Sequence, residues 1–88
     1  MPNPAPNHWA VVGGGMLGMT LAHRLAQRGQ RVTLLEAAPR LGGLTSAWKL
    51  EDADGPGAVW DRFYHVTLLS DSTLRGLLEE IGLADEVR

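Results

Sequence analysis

Apolar and polar positions change rhythm several times along this chain, and each rhythm predicts an element. Trp9-Ala10-Val11-Val12 is a short unbroken apolar run that stops at a glycine. It reads as a buried parallel strand. Gly13-Gly14-Gly15 then forces a tight turn. From Gly15 to Arg28 the pattern is helical. Leu17, Leu21 and Leu25 recur every fourth residue, beside a stripe of small residues at Gly18, Ala22 and Ala26. Such a stripe lets a helix lie close against a sheet. Gly29 suits the left-handed position that ends a helix, and Arg24 and Arg28 sit near its negative end. Arg31-Val32-Thr33-Leu34-Leu35-Glu36 is rich in β-branched residues and predicts a second strand. The first 36 residues therefore predict one βαβ unit with a right-handed crossover.

Beyond it the rhythm loosens. Residues 37–47 form a loop holding Pro39 and the Gly42-Gly43 doublet. Trp48-Lys49-Leu50 and Ala58-Val59-Trp60 flank the acidic, glycine-rich stretch Glu51–Gly57, which predicts a small hairpin with a solvated tip and a Trp48–Trp60 pair across it. Asp61 to Leu69 has no clear period. Ser70 and Asp71 can cap a second helix, in which Leu74, Leu77, Leu78 and Ile81 form an apolar stripe. Gly82 can end it, with Leu83 placed to pack back on Leu78.

Composition narrows the class. With 88 residues the chain holds at most one domain, and a chain of this size buries only ~60–65% of its unfolded surface. An apolar content of 44% argues for a folded chain over a disordered one. Eight basic against ten acidic residues give no footprint for nucleic acid. With no cysteine there is no disulfide framework, and three isolated histidines have no metal-binding spacing. The apolar stretch Trp9–Ala22 is too short and glycine-rich to span a bilayer. The proline-rich start has no Lys or Arg before that stretch, so residues 1–8 read as a flexible lead-in and the location as cytoplasmic.

The candidate chemistry sits in the first turn. Gly13-Gly14-Gly15-Met16-Leu17-Gly18 matches G-x-G-x-x-G, follows a predicted strand and opens a predicted helix. Glu36 closes the second strand eighteen residues after Gly18. This is the context of a dinucleotide fingerprint. Gly13 permits the sharp turn, Gly15 lets a pyrophosphate approach the backbone, and Gly18 lets helix and strand pack closely. The helix N-terminus attracts the anion. Glu36 can accept hydrogen bonds from a ribose diol and would repel a 2′-phosphate, which disfavours NADP. NAD and FAD both satisfy these demands. Arg40 and Gly42-Gly43 add a second backbone approach to the same ligand, which the longer FAD needs.

From Ala10 to about Leu83, and most specifically over residues 11–43, the chain resembles the flavin-containing amine oxidase superfamily, which includes protoporphyrinogen oxidases, phytoene desaturases and UDP-galactopyranose mutases. In that family the segment after the ribose-binding acid reads Arg-x-Gly-Gly-Arg-x-x-Ser/Thr. Arg40, Gly42 and Gly43 match. Leu44 stands where the second arginine is usual and Ala47 where Ser or Thr is usual, with Thr45 and Ser46 nearby but out of register. The resemblance implies an α/β fold: a Rossmann-like βαβ dinucleotide-binding unit, followed by a small hairpin and a second helix, as an incomplete domain over residues 1–88. It implies FAD as cofactor, held by Gly13, Gly14, Gly15, Met16, Leu17, Gly18, Glu36, Ala37, Arg40, Gly42, Gly43 and Leu44. It also implies a flavin-dependent oxidoreductase whose small-molecule substrate meets a downstream domain. Family members are several times longer, so the 88 residues read as a truncated piece, inactive alone.

Asp61-Arg62-Phe63-Tyr64-His65 has the chemistry to line a pocket near flavin or substrate. The plainer reading has Phe63 and Tyr64 packed on the sheet and His65 capping a helix or facing solvent. His23 reads as solvated on the polar side of the first helix. No catalytic base and no oligomeric state follow from these residues. Two further readings remain: a small non-catalytic NAD or adenine-nucleotide module, and a partly folded fragment whose apolar second helix drives association.

Overall fold

A computed structural model describes residues 7–50, 55 and 57–86. Strand β1 (His8–Val12), helix α1 (Met16–Gln27) and strand β2 (Arg31–Leu35) form the expected βαβ unit. The strands run parallel, with Trp9 beside Val32, Val11 beside Leu34 and Val12 beside Leu35. Pairing begins before the apolar run. The Arg31 N–H donates to the Asn7 carbonyl at 3.1 Å, and His8 Nε2 lies 2.7 Å from Thr33 Oγ1 on the neighbouring strand. Asn7 and His8 thus belong to the sheet's edge, while the rest of the expected lead-in lies outside the described residues.

Trp9, Val11, Val32 and Leu34 share the sheet face that α1 covers. Val11, 8% exposed, is the buried core among the described residues. The expectation of a wholly buried strand needs correction, because Val12 on the other face is 83% exposed. A two-stranded sheet with one helix has only one covered face. Leu17 is likewise 84% exposed, while Gly18 lies close enough to the sheet that a Cβ there would stand 3.5 Å from the Val11 side chain. The radius of gyration, 16.9 Å, exceeds the ~12 Å expected of a compact chain this long.

Both helices end in the same glycine geometry. After α1, Gly29 takes φ +74°, its N–H donates to the Ala26 carbonyl, and the Gln30 N–H donates to the Leu25 carbonyl. After helix α2 (Ser72–Glu80), Gly82 takes φ +82°, its N–H donates to Glu79, and the Leu83 N–H donates to Leu78 at 2.7 Å. Each is a Schellman closure, which satisfies carbonyls the helix itself leaves open. The start of α2 differs from expectation. Asp71 is the N-cap residue but makes no side-chain cap. Its carboxylate accepts the Leu68 N–H at 2.8 Å instead, tying down the preceding turn.

Strands β3 (Ala47–Lys49) and β4 (Val59–Asp61) form a separate antiparallel hairpin, with Trp48 opposite Trp60 as expected. Its acidic tip, residues 51–54, lies outside the described residues. Among the described residues no helix is long and apolar enough to cross a membrane.

Candidate functional site

The turn from β1 into α1 is built from close backbone approaches. The Gly13 N–H donates to the Leu35 carbonyl at 2.7 Å, one step beyond the last β1–β2 pair. Gly13 then takes φ +108°, a conformation that L side chains rarely adopt. Gly18 must also be glycine, since a Cβ there would overlap the Gly13 carbonyl oxygen. The first helical bond, from the Met19 N–H to the Gly15 carbonyl, is 2.9 Å long. The Leu17 and Gly18 N–H groups precede it and have no helical acceptor. Gly15 is the N-cap, without a side chain to cap those donors, and no acidic residue stands in the first turn. The positive helix end is thus left for an outside anion.

The two glycine segments, far apart in sequence, meet. The Gly42 N–H donates to the Gly14 carbonyl at 2.9 Å, and Gly15 and Gly42 form a parallel bridge. A Cβ on Gly14 would overlap the Leu41 side chain. Around Gly15 the nearest atom to a Cβ would be the Gly43 Cα, 3.9 Å away, so Gly15 presents open backbone beside a second open backbone.

Glu36 ties the first segment to the start of the loop after β2. Its Oε1 accepts the Gly14 N–H at 3.3 Å and its Oε2 accepts the Ala38 N–H at 3.4 Å. Both bonds hold the carboxylate at the strand's end, and each oxygen keeps a lone pair for a further donor. Glu36, Arg40, Gly43, Ser46 and Arg62 share a hollow of about 170 Å³.

The predicted site residues divide accordingly. Gly13, Gly14, Gly15, Gly18, Glu36, Arg40, Gly42 and Gly43 come together. Met16 and Leu17 reach the site by backbone: the Met16 side chain lines a hollow between α1 and the start of α2, and the Leu17 side chain lines a groove along β1. Ala37 and Leu44 are exposed. Leu44 lies in the short 3-10 turn Gly43–Thr45 that starts at the glycine doublet.

Sequence reasoning missed one local device. The Thr45 hydroxyl donates to the Gly42 carbonyl at 2.7 Å and the Ser46 hydroxyl to the Gly43 carbonyl at 2.6 Å. These hydroxyls, out of register with the family pattern, brace the glycine doublet from within. Hydroxyls that fold back onto nearby carbonyls are a general habit of Ser and Thr in turns, and that was the available signal. Arg62, one of the cluster with the chemistry to line a pocket, reaches the hollow because the hairpin returns to the loop: its N–H donates to the Ser46 carbonyl at 3.1 Å.

Two other expectations need correction. Tyr64 is 93% exposed and packs on no sheet, because the hairpin forms a sheet of its own. His65 faces solvent with Nδ1 3.0 Å from the Phe63 carbonyl and Nε2 3.9 Å from Asp61. His23 is not simply solvated. Its Nε2 lies 3.2 Å from Glu80, whose carboxylate also accepts from Arg24 Nη1 at 2.7 and 2.8 Å and from Gln27 Nε2. Those donors, Arg24 foremost, pull the Glu80 carboxyl from its ordinary 4.5 down to about 2. The cluster joins α1 to α2 and lies apart from the glycine loops.

Residues 11–81 match the model of the NAD(P)-binding Rossmann-like domain family. The chain is 46% identical over 72 residues to the carotenoid phi-ring synthase of Streptomyces griseus, which covers 82% of this chain and 14% of that protein. It is 34% identical over 77 residues to protoporphyrinogen oxidase 2 of Arabidopsis thaliana, covering 88% of the chain and 14% of the relative. Identity to the Arabidopsis thaliana 15-cis-phytoene desaturase is 33% over 88 residues, 99% of the chain and 15% of the relative. The chain therefore spans about one seventh of the length of these relatives. It belongs to the NAD(P)-binding Rossmann-like domain family, and its relatives align it with the N-terminal segment of the amine oxidase superfamily.

Proposed function

We propose that this chain is the FAD-binding N-terminal portion of a flavin-dependent oxidoreductase of the amine oxidase and desaturase type, and that it holds the adenosine and pyrophosphate of FAD. The observation that carries this reading is the hydrogen-bonded meeting of the two glycine segments at Gly14 and Gly42, with the Glu36 carboxylate on the Gly14 N–H. In this reading the Leu17 and Gly18 N–H groups bind pyrophosphate oxygens. Gly15 and Gly43 let the ligand lie against bare backbone, and the Glu36 carboxylate takes the ribose hydroxyls. Each needs only what the residues offer: open donors, absent side chains and a held acceptor. Bound FAD would supply electron and hydride acceptance at its ring. The small-molecule substrate and the rest of the flavin site belong to the length of the relatives that this chain does not span.

The test is an absorbance spectrum of the purified chain after incubation with FAD and desalting, and of a version extended by downstream coding sequence. A flavin band that disappears with Gly15→Val and weakens with Glu36→Gln supports the proposal. NAD is the second reading, favoured by the description of the matching family as NAD(P)-binding. If neither protein retains flavin and calorimetry detects NAD binding, the FAD assignment fails and the NAD module replaces it.

A further inference from the structure

Two arginines from distant parts of the chain, Arg40 and Arg62, line the hollow beside Glu36. Among the described residues neither forms an ion pair, although a carboxylate lies in the same hollow. Arg62 is braced. Its guanidinium carbon lies 5.7 Å from the centre of the Trp48 ring and 5.8 Å from that of Phe63, and its backbone is tied to Ser46. Arginine held against aromatic rings keeps its forked donors free to engage another group. The hollow thus combines a hydroxyl acceptor, Glu36, with a net positive charge from two arginines. Those are complementary to the two chemical parts of a phosphorylated ribose, a diol and an anion.

We propose that Arg62 is a further binding residue of the nucleotide site, its guanidinium engaging the phosphate next to the ribose that Glu36 takes. The β3–β4 hairpin is then part of the nucleotide site rather than a passive link between βαβ unit and α2. Trp48 and Phe63 act through Arg62 by limiting where its guanidinium can go. This inference rests on the dinucleotide-binding reading and extends it to a segment outside the glycine loops and the acid after β2.

Calorimetry of the whole chain with ADP and with adenosine tests it, on wild type, Arg62→Gln and Arg62→Lys, at two salt concentrations. For Arg62→Gln the ADP affinity falls about tenfold while adenosine affinity is unchanged, and the salt dependence of ADP binding becomes shallower. Arg62→Lys keeps the charge but not the fork and falls between. Two outcomes overturn the inference and leave the dinucleotide reading intact: equal ADP affinity in Arg62→Gln and wild type, or equal losses for ADP and adenosine. Circular dichroism of each variant shows whether an equal loss comes from unfolding, and Arg62→Lys then decides between the two outcomes. A wild-type chain that binds neither ligand overturns both readings together.

Discussion

A Cβ on Gly43 would stand 3.2 Å from the Cα of Gly15, so these two residues meet backbone to backbone across 28 positions of sequence. They differ in what a methyl group would do. Gly43 also has φ +53°, which costs an L residue roughly 1–2 kcal/mol. Gly43→Ala should therefore lower unfolding free energy by about 2 kcal/mol in urea denaturation, strain and crowding together. Gly15→Ala makes only ordinary contact, with the Gly43 Cα 3.9 Å away, and should cost no more than ~1 kcal/mol as an N-cap change. Its larger effect should be on ADP affinity, because the methyl fills the face left open to a ligand. Equal losses of stability with unchanged binding would contradict this division.

Gly18 and Gly76 offer a sharper contrast within helices. At Gly18 a methyl would overlap the Gly13 carbonyl, so Gly18→Ala should destabilise by about 2–3 kcal/mol. Around Gly76, inside α2, nothing lies within 4 Å of a Cβ. Gly76→Ala should stabilise by about 0.5–1 kcal/mol through helix propensity. Midpoints of denaturant unfolding measure both.

Glu36→Gln keeps an oxygen for the buried Gly14 N–H but loses an acceptor and the charge. Stability should change little, and ADP affinity should fall about tenfold, the loss of one charge-assisted bond to a hydroxyl. Glu36→Ala, which strands the Gly14 donor, should lose stability as well, by roughly 1–3 kcal/mol.

Glu80 predicts an acid-sensitive contact between the two helices. Its carboxyl is held down to about 2 by Arg24, Gln27 and His23. A folded-state value below the unfolded one means the ionised carboxylate contributes stability above about pH 4.5, lost as pH falls toward 2. Hydrogen exchange of α2 amides should accelerate through that window in wild type. In Glu80→Gln it should be fast throughout, with no step there.

Much of this was legible in the residues, for identifiable reasons. The βαβ unit could be read because glycines, apolar runs and β-branched residues all pointed the same way, and both helix ends could be read because glycine is the residue a Schellman closure needs. The placement of Gly13, Gly15, Gly18 and Glu36 followed from the same local grammar. What could not be read was non-local. Glu80 lies 56 residues from Arg24, and no periodicity along one helix indicates which groups another helix brings to it. Arg62 reaches the Glu36 hollow only because the hairpin turns back. Asp71 had the right residue type at the right place, yet a nearer donor, Leu68, took its carboxylate. The exposure of Val12 and Leu17 depended on how many strands and helices surround them, which is a property of the assembled fold.

The hydrogen bond from Gly42 to Gly14 has a consequence for chain topology. It closes a ring that contains the whole of α1 and β2; because β1–β2 pairing already brings Gly13 to Leu35, the further closure is of the short loop 36–41, at about 2 kcal/mol of chain entropy. A ligand lying across both glycine segments would act as a reversible crosslink at the neck of that ring. It would bind the closed chain and not the open one, so its concentration would set how tightly the ring stays shut. The melting temperature of this small, thinly packed unit would then rise with ligand concentration, and cofactor loading would double as the step that completes folding.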